Sequence, residues 1–250
     1  MNASTSRLAR RLVVLGTVLS LWEALARLGV LNPFYIPPPG KVAATLFGLF
    51  ADGEIWTHIE ATFGAALLGL ALGVVVGAIL GVSAALLPLV GEILDPVMTV
   101  LNAVPRIILA PLFVIWFGIG IASKVAVTFV LIAVLFFFAV YAGIKEVDQR
   151  LVERVKTLGG GRSTLLREVY LPAVTAWVLS NLKVAVGFAF TGAVVGEFVA
   201  SSRGLGYLLS FAQSTYNASL TLALLLLIMI FVFMLFALAG RVEKRLLRWR

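Results

Sequence analysis

The sequence of 250 residues contains no cysteine and only one histidine, His58. The absence of cysteine excludes a disulfide framework, a thiolate metal site and a cysteine nucleophile. A single histidine cannot form a histidine-rich metal cluster or relay. Residues 159–164 are rich in glycine, but they lack the lysine and the preceding strand of a phosphate-binding loop. No nucleophile elbow or pair of catalytic carboxylates is present. We therefore expect no catalytic residue, no metal site and no cofactor bound by this chain.

Charged residues are also scarce. They make up 13% of the chain, whereas hydrophobic residues make up 61% and the mean hydropathy is +1.07. A soluble domain carries roughly 25% charged residues, so a chain this apolar requires lipid as its solvent. The net charge of +8 could indicate nucleic-acid binding. The basic residues, however, lie in short flanks beside apolar runs, which is typical of membrane topology. We expect the lipid bilayer as a partner and no nucleic acid.

Six apolar segments are long enough to cross a bilayer, which takes ~20 mostly apolar residues. They run from about Leu12 to Leu31, Ala61 to Leu87, Ile93 to Phe117, Val125 to Ile144, Ala173 to Ala200 and Leu220 to Gly240. The sequence thus predicts an all-α, polytopic membrane protein with about six transmembrane helices in a single domain, 1–250. Between the first two segments, the apolar spacing from Lys41 to Phe50 predicts a short amphipathic helix on the membrane surface.

The distribution of basic residues predicts the orientation of these spans. Three segments expected inside the cell hold fourteen Lys or Arg: Arg7, Arg10, Arg11, Lys145, Arg150, Arg154, Lys156, Arg162, Arg167, Arg241, Lys244, Arg245, Arg248 and Arg250. The expected outer loops hold three, Lys41, Lys124 and Arg203. This asymmetry predicts that both termini are cytoplasmic, in a multi-pass protein of a bacterial-type inner membrane. Alternatively, the first segment is a signal peptide, since Ala24-Leu25-Ala26 resembles a cleavage site.

The second segment carries a small residue at every fourth position. Residues at i and i+4 share one helix face, and small residues there let another backbone approach closely. This pattern favours tight static packing in a helix bundle, and a face that glides during transport is the alternative. The residues are Ala61, Ala65, Gly69, Gly73, Gly77, Gly81 and Ala85.

Several ionisable or polar residues lie within the apolar segments. A charge at mid-membrane costs about 2.5–3.5 kcal/mol on insertion scales, so it should face protein or water. Glu23 and Arg27 have the i,i+4 spacing of an intrahelical ion pair. Asn102, Arg106 and Glu197 are the candidate substrate-pathway residues, and pairing of Arg106 with a helix end or an acidic neighbour is the alternative. Lys183 and Glu197 are either pathway residues or partners in interhelical salt bridges. After Glu197, Gly204 and Gly206 predict a tight outer turn or a re-entrant segment.

A charged loop at residues 145–172 separates the fourth and fifth apolar segments. Glu153 is followed by Gly159, then by nine residues, then by Val169, Leu171 and Pro172. This spacing resembles the EAA loop of the transmembrane permeases of ABC importers, with Arg154 and Val155 in place of the two alanines. In that family the loop is a coupling helix that docks on an ATP-hydrolysing subunit. The resemblance implies a coupling role for Glu153, Arg154, Val155, Leu158, Gly159, Gly160, Val169, Leu171 and Pro172.

Residues 105–120, together with Val195-Gly196-Glu197 and Gly204-Leu205-Gly206-Tyr207, are similar to the nitrate, sulfonate and taurine branch of these binding-protein-dependent permeases. The resemblance covers about residues 67–250. It implies a type I importer permease that translocates a small solute, such as an anionic sulfonate, nitrate or a vitamin precursor. It also implies a second permease copy, ABC ATPase subunits that bind ATP and Mg, and an external substrate-binding protein.

Two other classes of function remain open from the residues alone. One is a secondary transporter or channel that is driven by an ion gradient and uses Glu197, Lys183 and Arg106 as a charge relay. Such folds often contain inverted repeats, and none is visible in the sequence. The other is a membrane scaffold that transports nothing, and the charges within the spans argue against it. An associated ATPase would distinguish the importer from both.

Overall fold

The computed structural model describes residues 3–246, and the side chains of residues 3–9, 12 and 242–246 are outside that description. All regular structure in the described chain is helical. The helices are α1 (Ala3–Arg27), α2 (Pro39–Ala51), α3 (Ile55–Leu86), α4 (Pro88–Ala103), α5 (Ala110–Phe117), α6 (Ile121–Lys145), α7 (Gln149–Thr157), α8 (Arg162–Leu165), α9 (Leu171–Val199), α10 (Leu205–Ser214) and α11 (Ala218–Leu246). A 3₁₀ turn, Arg106–Leu109, precedes α5, and a π-helical turn, Leu166–Tyr170, joins α8 to α9.

Four helical stretches of the described chain are long and apolar enough to cross a membrane. They are Ile55–Leu86, Ile121–Lys145, Arg162–Val199 and Ala218–Arg241. The pair Pro88–Ala103 and Arg106–Phe117 makes a fifth span if its 94° bend is counted as one broken crossing. The sequence predicts about six spans, the first from Leu12 to Leu31. That segment overlaps α1, which is 25 residues long and ends at Arg27.

The bend in the third predicted span occurs at Pro105. Val104 and Pro105 adopt extended backbone angles between α4 and the 3₁₀ turn. Proline has no N–H to donate, and it disfavours helical geometry in the residue before it. The helix therefore ends before Pro105. Pro96, by contrast, lies inside α4.

Helices α3 and α6 form the tightest interface of the bundle. Gly69, Gly73, Gly77 and Gly81 are all buried on the face of α3 that meets α6. A Cβ added at Gly73 would lie 2.5 Å from the Cβ of Ile132, and one at Gly81 would lie 2.7 Å from the carbonyl oxygen of Phe137. The prediction of tight packing along this ladder is confirmed. The glycines bring the α3 backbone against α6, whose Phe136 and Phe137 are fully buried.

Helix α9 packs against both α6 and α3, and α11 packs on α9. Ala185, Ala189 and Ala193 of α9 join Ile132 and Phe136 in the core between α3, α6 and α9. Where α11 crosses, a Cβ at Gly187 would lie 2.7 Å from the ring of Phe236. The centre of the protein is thus a helix bundle built on small residues, as expected where lipid supplies no hydrophobic drive between helices.

Two predictions for the amino-terminal half are confirmed, and one is wrong. Arg27 Nε donates to Glu23 Oε1 at 2.6 Å, and the second oxygen of Glu23 accepts from the N–H of Gly40 at 2.8 Å, so this carboxylate also ties α1 to the start of α2. Helix α2 forms where the amphipathic pattern predicts a helix. Lys124, which the orientation analysis places in an outer loop, lies buried in the first turn of α6. That helix begins at Ile121, four residues before the predicted start.

Candidate functional site

The charged loop folds into a short helix, α7, that is fixed at both ends. The carboxylate of Asp148 caps its first turn by accepting from the N–H of Arg150 at 2.9 Å. At its other end, Gly159 has a φ of +82°. The N–H of Gly159 donates to Lys156, and the N–H of Gly160 donates to Val155 at 2.9 Å. These two bonds make a Schellman motif, in which the residue after the cap takes left-handed geometry that favours glycine.

The surface of α7 combines one buried residue with several exposed ones. Val152 is only 4% exposed, whereas Leu151 is 50% exposed and Leu158 is 82% exposed. Val155 is half-buried on the same side as these two leucines, and Glu153 and Arg154 are exposed. The apolar face of α7 formed by Leu151, Val155 and Leu158 is thus open at both its ends. A cavity of about 440 Å³ lies beside it, between the end of α6, the start of α7 and the first turns of α9.

The carboxyl end of the loop leads directly into a membrane span. Pro172 lies in the first turn of α9, and the π-helical turn Leu166–Tyr170 immediately precedes that helix. Because Pro172 has no N–H, the helical hydrogen bond to the residue four positions earlier cannot form. The wider turn accommodates this loss. Leu171 and Pro172 are exposed and Val169 is half-buried. The chain is helical without a gap from Arg162 into α9, and the non-helical residues 158–161 separate this stretch from α7.

The candidate pathway residues lie in two separate places. Arg106 is half-buried at the 94° bend. Its guanidinium donates to the carbonyl of Leu131 in α6 at 3.3 Å and to the side-chain oxygen of Asn102, which is exposed, at 3.2 Å. The structure therefore brings Asn102 and Arg106 together. Lys183 is exposed on α9, and no carboxylate in the described part of the chain forms an ion pair with it.

Glu197 lies apart from Arg106, in a hydrogen-bond network that joins α3, α9 and α10. It is 2% exposed. Its Oε2 accepts from the hydroxyl of Thr62 and from the N–H of Gly206, both at 2.9 Å. The Thr62 oxygen in turn accepts from the N–H of Leu205 at 2.9 Å. The carboxylate and the threonine thus satisfy two free N–H groups at the start of α10, where a helix favours negative charge.

His58 extends this network by one turn of α3. Its Nδ1 accepts from the N–H of Gly204 at 3.0 Å, and its ring is stacked on that of Tyr207 at 5.9 Å between centroids. Gly204 has a φ of +119°, and a Cβ there would overlap the carboxylate of Glu197. The predicted tight turn is therefore present, and it is followed by the ten-residue helix α10.

Sequence reasoning missed three residues of the charged loop and of the Glu197 network. Asp148 could have been found, because an aspartate directly before a helical pattern is a capping signal. Val152 could also have been found, because it is apolar and lies about 100° around the helix from Leu151, off the exposed face. Thr62 carried no signal, since it is separated from its partner Glu197 by 135 positions.

We expect the Thr62→Val variant to be measurably less stable, because valine keeps the shape but leaves the N–H of Leu205 and one carboxylate bond unsatisfied. An orphaned buried polar group costs roughly 1–3 kcal/mol. The matched control is Thr191→Val, which removes an exposed hydroxyl that bonds only within its own helix. The measurement is the midpoint of thermal unfolding in detergent. Equal midpoints for both variants would show that the network does not stabilise the turn before α10.

The fold and these sites define a polytopic helical subunit of a membrane transport system. The chain belongs to the binding-protein-dependent transport system inner membrane component family, whose model matches residues 73–248. It is thus an ABC importer permease, a membrane subunit rather than an enzyme, and ATP hydrolysis occurs in a separate subunit. The prediction of this family from the charged loop is confirmed, and the gradient-driven and scaffold alternatives are set aside.

Known proteins of this kind resemble the chain over most of its length. The taurine transport system permease protein TauC of Escherichia coli is 31% identical over 94% of this chain and 87% of its own length. The riboflavin transport system permease protein RibX of Chloroflexus aurantiacus is 32% identical over 95% of this chain and 88% of its own. Among solved structures, an amino acid ABC transporter has a TM-score of 0.67 at 16% identity and covers 80% of this chain and 97% of that one. The inward-facing MetNI methionine ABC transporter has a TM-score of 0.61 at 20% identity, covering 77% and 94%.

Proposed function

We propose that α7 is the contact through which an ATPase subunit moves this permease. The observation that carries the proposal is the exposed apolar pair, Leu151 and Leu158, on a helix whose two ends are fixed by Asp148 and Gly159. Exposed leucines on a charged loop favour a protein partner. The chain from Arg162 runs through the π-helical turn into α9. A displacement of α7 therefore reaches a membrane-spanning helix through the short turn at Gly159–Gly161.

The same proposal includes the remaining parts of the importer. A second copy of this chain completes the pathway, an external binding protein delivers the solute, and both termini lie in the cytoplasm beside α7. At the two termini, the described basic residues that support this orientation are Arg10, Arg11 and Arg241; Arg7, Lys244, Arg245, Arg248 and Arg250 lie outside the described side chains. The domain comprises residues 1–250, and ATP and Mg bind to the partner subunits.

We assign the pathway to the bend beside Asn102 and Arg106. The guanidinium has five N–H donors, and the structure gives one bond to Asn102 and one to a main-chain carbonyl. The remaining donors suit a solute with acidic or carbonyl oxygens. Relatives of this chain are named for the transport of taurine, aliphatic sulfonates, riboflavin and formylaminopyrimidine, so we propose a small polar solute. Glu197 contributes from the outer end of α9.

Replacing Leu158 by aspartate tests the docking role of α7. Burying a leucine contributes about 1.5–3 kcal/mol, so its loss should weaken ATPase binding by at least roughly tenfold. The measurement is the amount of ATPase subunit that co-purifies with the tagged permease. The control is Leu28→Asp, which changes a similarly exposed leucine just beyond the end of α1. Unchanged co-purification of the Leu158 variant, or equal loss in both, would contradict the proposal.

A further inference from the structure

A small cavity lies at the outer end of the bundle, between α3, α6, α9 and the loop before α10. Its volume is about 140 Å³, which at the roughly 30 Å³ that a water takes in the liquid corresponds to about five molecules. Ala61 and Ala65 of α3 form one wall, and Ser201 and Ser202 lie on another. The three charged residues that line it are Lys124, Glu197 and Arg203.

Lys124 is a buried cation with hydrogen-bonding capacity left over. It is 3% exposed. Its ammonium donates to the carbonyl oxygens of Ile119 and Gly120, the latter at 2.8 Å. An ammonium has three donors, so one N–H has no protein acceptor in the described chain. Burying a charge is costly unless its bonds are completed, and the cavity is the space on which this group borders.

Glu197 presents the complementary group. Both of its hydrogen bonds end on Oε2, and among the described residues none ends on Oε1. Lys124 and Glu197 do not form a direct ion pair in the described structure. Two buried side chains of opposite charge thus line one cavity without neutralising each other directly. Arg203, on an exposed stretch of the loop, adds a second positive charge at the same cavity.

The geometry points to a binding site in this cavity for a small zwitterion, with an acidic group toward Lys124 and Arg203 and an amine toward Oε1 of Glu197. A simple anion would meet the carboxylate of Glu197, and a simple cation would meet two positive side chains. A zwitterion satisfies both sets of charges. The hydroxyl of Ser202 can donate to the oxygens of the acidic group, whereas the hydroxyl of Ser201 already donates to the main-chain carbonyl of Arg203.

This assignment rests on the proposed function, since a solute at the outer end of the spans is where an external binding protein would release it. It adds a holding site in the permease that is distinct from the bend at Arg106. Lys124 and Glu197 belong to different helices, α6 and α9, so a bound zwitterion would also link those helices.

The test is equilibrium binding of radiolabelled taurine to the permease–ATPase complex in nanodiscs. Ethanesulfonate and ethanolamine, which each carry one of the two charged groups, serve as competitors. We expect saturable taurine binding that either analogue displaces at least tenfold less well than unlabelled taurine. Absence of saturable binding, or displacement by ethanesulfonate as effective as that by taurine, would overturn the zwitterion site.

Two variants place the binding in this cavity without removing the buried charges. Ala61→Leu fills the space, and Arg203→Gln removes an exposed charge; each should reduce taurine affinity at least tenfold. The matched control is Ala71→Leu, an exposed position on the same helix α3. Affinity equal to that of the unmodified complex in Ala61→Leu would contradict the location. Co-purification of the ATPase is measured in the same samples, so loss of ATPase contact and loss of solute binding are scored separately.

Discussion

Replacing Gly77 with alanine is expected to destabilise the bundle, and replacing it with leucine to prevent recovery of folded protein. A Cβ at this position would overlap the carbonyl oxygen of Ala133 and lie 2.9 Å from its Cα. These are main-chain atoms of α6, so no side chain can turn aside to make room. Overpacking of a core usually costs about 1–3 kcal/mol of stability. Because the atoms in the way belong to the main chain, we expect the cost of Gly77→Ala to lie in the upper part of that range.

The control for this prediction is the same substitution at Gly64, also in α3. There a Cβ meets only the end of the Ile121 side chain at 3.8 Å, an ordinary contact. Alanine is a better helix former than glycine by about 0.8–1.0 kcal/mol, so Gly64→Ala should leave the midpoint of thermal unfolding unchanged or raise it. The two variants thus have expected effects of opposite sign. A midpoint for Gly77→Ala at or above that of the unmodified protein would show that α3 and α6 do not pack as described.

Replacing Gly159 with leucine is expected to abolish transport while the protein still folds and inserts. The space around Gly159 is empty, so the substitution causes no clash. Its φ of +82°, however, is left-handed, which costs a residue with a side chain roughly 1–2 kcal/mol. The change should therefore unwind the end of α7 and displace Leu158. The measurements are ATPase activity stimulated by the binding protein and solute uptake in proteoliposomes, both falling at least tenfold.

Gly29→Leu supplies the same backbone strain at another site. Gly29 follows α1 with a φ of +75°, and it too has no neighbour where a Cβ would lie. The following N–H, of Val30, donates to Leu25, as Gly160 donates to Val155. We expect a similar small loss of stability in this variant, with coupling retained. Gly159→Asn should recover part of the activity, because asparagine tolerates left-handed geometry. Full coupling in Gly159→Leu would refute the role of α7.

Features that depend on neighbours in the chain could be predicted from the sequence. The fourfold spacing of small residues in α3 predicts its packed face because a helix repeats every 3.6 residues. The Glu23–Arg27 pair and the turn at Gly159 are local in the same way. The spacing from Glu153 to Pro172 is a local feature too, since it counts the residues between α7 and the start of α9. This spacing is what predicted the family.

Features that depend on tertiary contacts could not be predicted. Glu197 was expected to line a pathway or pair with another helix, and nothing near it in sequence indicates that Thr62 and the start of α10 surround its carboxylate. Lys124 follows a short stretch with two glycines, Gly118 and Gly120, and was therefore expected in a loop. In the structure α6 begins before it, and the carbonyl oxygens of Ile119 and Gly120 accept from its ammonium. The position of the 94° bend could not be predicted from the prolines alone, because Pro96 remains within a helix while Pro105 does not.

The glycine ladder also restricts how this permease can change shape. With the α3 backbone lying directly against α6, sliding one helix along the other by even a single residue would drive side chains of α6 into the α3 main chain. We therefore expect α3 and α6 to move together as one rigid body. A rotation of this pair relative to the rest of the protein has to change backbone angles where the chain is extended and lightly packed. One such place is Val104–Pro105, and the other lies between Gly118 and Gly120, whose added Cβ atoms would meet nothing.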